Sequence, residues 1–289
     1  MIYSQKPEME WAVHVCEMVG DKIAAQKGFP VAHYNPFDYH NVEGRRTLYL
    51  QFIEVDETDT NEIFKFVSKY GFLGFKHDTE KVSLEPYKEE RKKYSDHLAS
   101  LRRTPESDGF IKELVTAISW RDVELIEDIR QEILEMRTIV NIVHEIQSGT
   151  EISLGPVFDL YSRAIPFDST SIEEIQHEFD DQALRFFAKS AVELRIDTKL
   201  KGVHPHLGSN KDGNRFSGTW RVPTLLSAMY LMLYTDIVGS KMFRKCRNVT
   251  CNMYFPIYGN DARKVYCSNN CARLQAQREY RQRKKRDEI

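Results

Sequence analysis

Long apolar runs are missing from this 289-residue chain. The longest, Leu225 to Val238, has 14 residues and contains Asp236, short of the roughly 20 needed to cross the hydrocarbon core of a bilayer. The first residues, Met1-Ile2-Tyr3-Ser4-Gln5-Lys6-Pro7-Glu8, lack both the basic and the apolar segment of a secretory signal. A cytoplasmic protein with no membrane partner is expected. Glycine (14) and proline (10) are sparse, which excludes collagen-like and low-complexity chains. Cysteine is scarcer still, at five, too few for a disulfide-stapled scaffold of this length.

The common enzyme signatures are also lacking. Gly71-Phe72-Leu73-Gly74 has neither the spacing nor the lysine of a phosphate loop. His144-Glu145 and His177-Glu178 have no second histidine four residues on, so neither is a metalloprotease helix; both histidines suit a surface or an edge. His204-Pro205-His206, with His33 and His40 as distant candidates, is a histidine pair of the kind that usually lies on a solvated loop. His177 to Asp181 is acidic but suits a solvated helix face, and Cys16 suits a small core position on an N-terminal helix. No catalytic residue is assigned, and the chain is not expected to be an enzyme. An enzyme in the N-terminal part would need a polar pocket around His204 and His206.

A surplus of one charge sign is missing too, but only on average. Residues 1–240 carry 28 Lys and Arg against 39 Asp and Glu, a net −11; residues 241–289 carry 13 against 4, a net +9. The whole chain is therefore at −2. The cysteines divide the same way: Cys16 stands alone and the other four lie between Cys246 and Cys271.

What is present is a helical, acidic body. Residues 46–55, rich in aromatic and branched types, predict a strand. Asp56 to Gly71 predicts a helix, acidic at its start and closed by glycine. Glu85 to Arg103 predicts a polar helix, and Thr104 to Gly109 a break. Ser119 and Asp122 resemble a capping box before the strongest pattern of the chain: Ile126, Ile129, Ile133, Met136, Val140 and Val143, in steps of three and four. That stripe suits a core-facing helix; the alternative is a homodimer seam along 119–147. Gly149 to Asp168 is turn-rich, Ser171 to Glu193 predicts an amphipathic helix, and 202–219 a loop or hairpin. Pro223 opens an apolar helix from Thr224 to about Phe243, with a boundary near Lys241–Lys245.

The tail reads Cys246-x4-Cys251, fifteen residues, then Cys267-x3-Cys271. Two close cysteine pairs in a reducing compartment suit one structural Zn²⁺ with tetrahedral thiolate ligation. Capping residues Ser268 to Asn270 would start a helix whose first turn carries the second pair. A knuckle or hairpin for the first pair and a helix start for the second describe a treble-clef-like site. Four thiolates leave no open position, so the metal would be structural. Behind it, Ala272 to Arg286 is an uninterrupted basic helix whose Arg273, Arg278, Arg281, Arg283, Lys284, Lys285 and Arg286 form an electrostatic footprint for phosphates.

The cysteine spacing, the aromatic pair Tyr254-Phe255, the Arg263-Lys264-Val265-Tyr266 segment, Cys267-Ser268-x-x-Cys271 and the Arg-rich helix together resemble the CGNR-type zinc finger over residues 243–286. The name-giving tetrapeptide stands here as Cys271-Ala272-Arg273-Leu274, in which only the cysteine matches and an arginine is displaced by one position. The resemblance implies a bacterial DNA-binding transcription regulator of the stress-induced (ABATE) type, nucleoid-associated when bound, with Cys246, Cys251, Cys267 and Cys271 as metal ligands. The expected architecture is α+β: a predominantly helical body over 1–240, sensing a ligand or partner, and a zinc module with a basic helix over 241–289. DNA is favoured over RNA as partner. The alternative is a zinc-stabilised protein–protein module that binds no nucleic acid, its basic helix docking on acidic residues such as Asp122 to Glu135.

Overall fold

The computed structural model describes residues 9–26, 30–39, 47–75, 123–163, 180–209, 216–239, 241–251, 254–257 and 263–287. The expected helix at 85–103, the break at 104–109, the Ser119/Asp122 box, His40 and His177 lie outside these residues. The first elements in chain order are β1 (Trp11–Val13), β2 (Cys16–Val19), β3 (Lys22–Ala25), β4 (Ala32–Tyr34), α1 (Leu48–Phe52), α2 (Thr60–Tyr70), β5 (Val123–Leu125) and α3 (Ile126–Ser148). There follow α4 (Leu154–Ser162), α5 (Asp181–Lys199), β6 (His204–Ser209), β7 (Phe216–Arg221), α6 (Leu225–Val238), β8 (Met242–Lys245), β9 (Tyr254–Ile257) and α7 (Asn269–Asp287). Helix and strand are mixed, with helix predominating, and no described helix is long and apolar enough to cross a membrane.

Two compact units are distinguished. The first comprises Met1–Asp38, Val55–Gln131 and Val203–Ala228; the second comprises Tyr39–Glu54, Glu132–Gly202 and Met229–Ile289. In the first, β2, β3 and β5 form an antiparallel sheet and β1 pairs with β4. Cys16 therefore lies on a strand rather than on the expected helix. Gly20-Asp21, with Gly20 at φ 64°, is a two-residue hairpin loop that pairs Val19 with Lys22, and such a loop fixes the strands on either side. The α2 helix follows expectation: the Asp59 carboxylate caps it by accepting from Asn61 N at 2.8 Å, and Gly71 ends it. A side chain at Gly71 would meet Ala12 O at 2.5 Å. Buried Glu124 on β5 accepts the backbone N–H groups of Leu73, Gly74 and Phe75 at 2.9, 2.6 and 3.2 Å. Burial nevertheless pushes its carboxyl up to about 7. The β6–β7 hairpin lies where a loop or hairpin is expected and carries His204 and His206, both exposed, opposite Arg221 and Thr219.

In the second unit, residues 48–52 are helical, which overturns the strand expected over 46–55. Leu48, Tyr49, Leu50 and Phe52 are all buried. With Leu48, Tyr49 and Leu50 buried in succession the run carries no period of two to distinguish it, and burial then overrides strand propensity. The Tyr49 hydroxyl donates to Asp236 Oδ2 at 2.7 Å, and Lys241 Nζ lies 2.5 Å from Oδ1 of the same fully buried carboxylate. The stripe on α3, which belongs to the first unit through Gln131 and to the second from Glu132, is core: Ile129, Ile133, Met136 and Val140 are fully buried, and Ile126 and Val143 are 5% exposed. A face buried within its own chain is not a dimer seam. The helix starts at Ile126, directly after β5.

Within 149–168, α4 replaces turn: Gly155-Pro156 stand in its first turn, where proline loses no hydrogen bond. Of the helix expected over 171–193, residues 171–179 lie outside the described residues and the remainder is observed as α5, capped by Asp180 accepting from Ala183 N at 2.7 Å. The apolar helix ends at Val238, before Gly239, and the chain continues as strand β8. Glu132 and Glu135 of α3 meet Lys199 and Arg195 of α5. Arg195 forks onto Glu135 at 2.8 and 2.7 Å, Lys199 pairs with Glu132, and the Tyr230 hydroxyl of α6 reaches Glu135 at 3.2 Å.

Candidate metal centre

The C-terminal cysteines are delivered by three local structures. Strands β8 and β9 form an antiparallel ribbon with Met242 opposite Ile257 and Lys245 opposite Tyr254. Phe243 and Phe255 are buried. The ribbon is held to the end of α3 by side chains: His144 Nδ1 lies 2.7 Å from Phe243 O, Gln147 Nε2 donates to Lys241 O at 3.0 Å, and Phe243 N donates to Gln147 Oε1 at 3.1 Å. This anchoring goes beyond the surface or edge position expected of His144, which is half-buried. A histidine and a glutamine three apart on one helix face were its only signal.

Directly after β8 comes buried Cys246, and the chain turns back within Cys246 to Cys251, where Cys251 N donates to Asn248 O at 2.7 Å. Arg247 N donates to Val265 O at 2.9 Å, bringing this turn beside the segment that leads to Cys267. Ser268 then caps α7, its hydroxyl accepting from Cys271 N at 3.2 Å. Cys271 thus lies in the first helical turn, as its spacing from Cys267 predicts, near the positive end of the helix dipole.

The four sulfur atoms all lie within 4.8 Å of one another. Cys251 and Cys267 are 3.7 Å apart, and Cys267 and Cys271 are 3.5 Å apart. Tetrahedral ligation with metal–sulfur bonds of about 2.3 Å requires sulfur separations of about 3.8 Å. The cluster matches that size and is far from disulfide length, and all five cysteines of the chain are free thiols. Among the described residues these four are the one cluster of three or more such side chains able to hold a metal ion. Burial and the neighbouring thiols raise Cys267 well above the ordinary thiol range. Cys271 is drawn down to about 7, chiefly by a hydrogen bond from the Asn248 side chain. Sulfur atoms this close cannot all ionise without a cation between them.

Helix α7 is seated on the first cysteine pair. Gln275, buried, accepts from Val249 N at 3.3 Å through Oε1 and donates from Nε2 to Glu279 Oε1 at 3.0 Å. Arg278 donates to Asn248 Oδ1 at 2.5 Å and to Thr250 Oγ1 at 2.7 Å. Of the residues expected to meet phosphates, Arg273, Arg281, Arg283, Lys284 and Arg286 are exposed. Arg278 is half-buried against the turn, and Lys285 belongs to the same helix. Lys264 covers the Phe255 ring at 5.7 Å, and Arg244 donates to Lys264 O at 2.7 Å, extending the positive surface onto the ribbon. No protein-family model matches this chain, and no curated protein matches it.

Proposed function

We propose that the chain binds nucleic acid, DNA in preference to RNA, through a zinc-stabilised module of the CGNR type, and acts as a transcription regulator. One Zn²⁺ held by Cys246, Cys251, Cys267 and Cys271 would neutralise the thiolates and fold the module, in a treble-clef-like arrangement of turn, ribbon and helix. The observation that carries the reading is the exposure of Arg273, Arg281, Arg283, Lys284 and Arg286 on a helix fixed to that centre. Phosphate contacts made from a rigid helix combine electrostatic affinity with a set orientation. With a body at −11 and a tail at +9, binding is local to the tail, and the body limits nonspecific affinity.

The test is the salt dependence of binding to a duplex and to RNA of the same sequence, followed by fluorescence anisotropy. Replacing Arg281, Arg283, Lys284 and Arg286 together by Gln should lower the slope of log affinity against log salt by roughly 3 to 4, at about 0.9 per lost phosphate contact. Unchanged affinity and slope would overturn the reading. Exposed Val249, 73% accessible, and Tyr280, 65% accessible, favour a second one, a protein-docking surface. In that case the full chain binds neither nucleic acid above background.

A further inference from the structure

Helix α7 has two sides. Gln275 and Arg278 face the Cys246–Cys251 turn, Gln275 accepting from Val249 N and Arg278 donating to Asn248 and Thr250. At about 100° per residue, Arg273, Gln277, Tyr280 and Lys284 follow one another in steps of four, three and four along the side turned away. All four are exposed, Tyr280 to 65%. Tyr280 stands about 140° round the helix from Gln275, so it shares no patch with Val249, which lies on the Gln275 side. Glu279 is the only acid of α7 before Asp287 at its end, and Gln275 Nε2 donates to it at 3.0 Å.

A surface that met phosphates alone would need charge alone. An amide and an exposed aromatic ring at the centre of a cationic row have another use, because phosphate contacts position a protein while base contacts specify a sequence. We infer that this row is the base-reading edge of α7, laid in the major groove of duplex DNA, with Gln277 on an adenine and the Tyr280 ring on the methyl group of an adjacent thymine. A helix about 10–12 Å across fits a major groove about 12 Å wide. Gln277 and Tyr280 are about 4.5 Å apart along the axis, close to one step of about 3.4 Å per nucleotide. A glutamine amide matches adenine N6 and N7 with both its ends, and thymine offers an apolar contact there. Arg273 and Lys284, at the ends of the row, meet phosphates at the rims. The major groove of an RNA duplex is too deep and narrow for side chains to read, which accounts for a preference for DNA.

This inference rests on the proposed nucleic-acid reading and adds to it how sequence is read. The experiment uses the full chain with Zn²⁺ supplied, as wild type, Gln277→Ala and Tyr280→Ala, to select from a pool of duplexes with a randomised core. Both positions are exposed and alanine is the best helix former, so circular dichroism should be the same for all three. Wild type should enrich a motif with adenine and thymine at adjacent base pairs. Gln277→Ala should lose about 5- to 150-fold of the discrimination at the adenine. Replacing that adenine by 7-deazaadenine should weaken wild type and leave Gln277→Ala unaffected. Replacing the thymine by deoxyuridine, which lacks the methyl group, should cost wild type about 4-fold and Tyr280→Ala nothing. In neither variant should the salt slope fall by the roughly 0.9 of a lost phosphate contact.

Binding by wild type without an enriched motif would overturn the inference and leave the phosphate-binding surface standing. Analogue effects that persist undiminished in the alanine variants, or a preference for the RNA duplex of the selected sequence, would do the same. Failure of every form to bind any duplex would sink the proposed function, and this inference with it.

Discussion

Two regions of the second unit solve the same problem, that of holding three chain segments together, by different chemistry. Around the part of α3 in this unit the solution is distributed: an apolar stripe from Ile133 to Val143, with Glu132, Glu135, Arg195, Lys199 and Tyr230 satisfying one another within it. In the C-terminal module it is concentrated at one point where four sulfurs lie within 4.8 Å. A distributed core tolerates the loss of any one contact at modest cost. A point centre transmits its loss to everything it joins, because Phe243 and Phe255 are too small a core to fold a ribbon and a helix alone.

Metal removal is the strongest way to break that contrast. Chelation of the metal-loaded chain, or Cys267→Ser, should release stabilisation on the order of 10 kcal/mol from the module alone. Hydrogen exchange should rise across 242–287 and stay low over Ile129 to Val143. Equal exchange in both regions would remove the distinction. Glu135→Ala comes next. It leaves Arg195 buried without its carboxylate partner, while Lys199 keeps Glu132, and should cost about 3–5 kcal/mol in denaturant unfolding. The metal affinity should not change.

The contrast also governs what the sequence disclosed. Point chemistry is written in spacing: Cys246-x4-Cys251, Cys267-x3-Cys271 and the Ser268 cap are legible because ligand geometry and helix starts demand particular residues at particular intervals. The α3 stripe is legible for the same reason, as a period. Residues 48–52 were not, because three successive buried side chains offer no period of two, and the choice of helix over strand rests on distant partners such as Asp236. Neither Asn248 nor Gln147 stood out, since an amide acquires its role only from what faces it. Arg278 was grouped with its basic neighbours because composition does not say which side of a helix is occupied.

A third prediction concerns Glu124 of the first unit, a distributed polar contact of another kind. Its folded carboxyl titrates at about 7 against an ordinary 4.5, so the protonated form favours folding. Stability from this group is fully present below about 4.5 and is lost as pH rises through 7. By linkage the full change is on the order of 3 kcal/mol. Urea midpoints measured from pH 4.5 to 8 should show this fall, and Glu124→Gln should flatten it. A profile that is already flat in the wild type would refute the assignment. The smallest effect expected is that of Ser268→Ala, which removes the cap of α7 and should cost about 1 kcal/mol. With metal bound it should be nearly silent by circular dichroism, and without metal it should lower the helicity of the tail, a difference that measures how far the metal alone holds the helix start.

The Gln147 carboxamide has a consequence beyond anchoring. It donates to Lys241 O and accepts from Phe243 N, the two groups that the N–H and C=O of one residue of a neighbouring parallel strand would engage. One side chain thus occupies the free margin of β8 as a single link of a third strand would. A two-stranded ribbon is open to addition of foreign chain at both margins; at residues 241–243 this one is already closed, and recruitment of an extended peptide there would first have to displace a residue of α3.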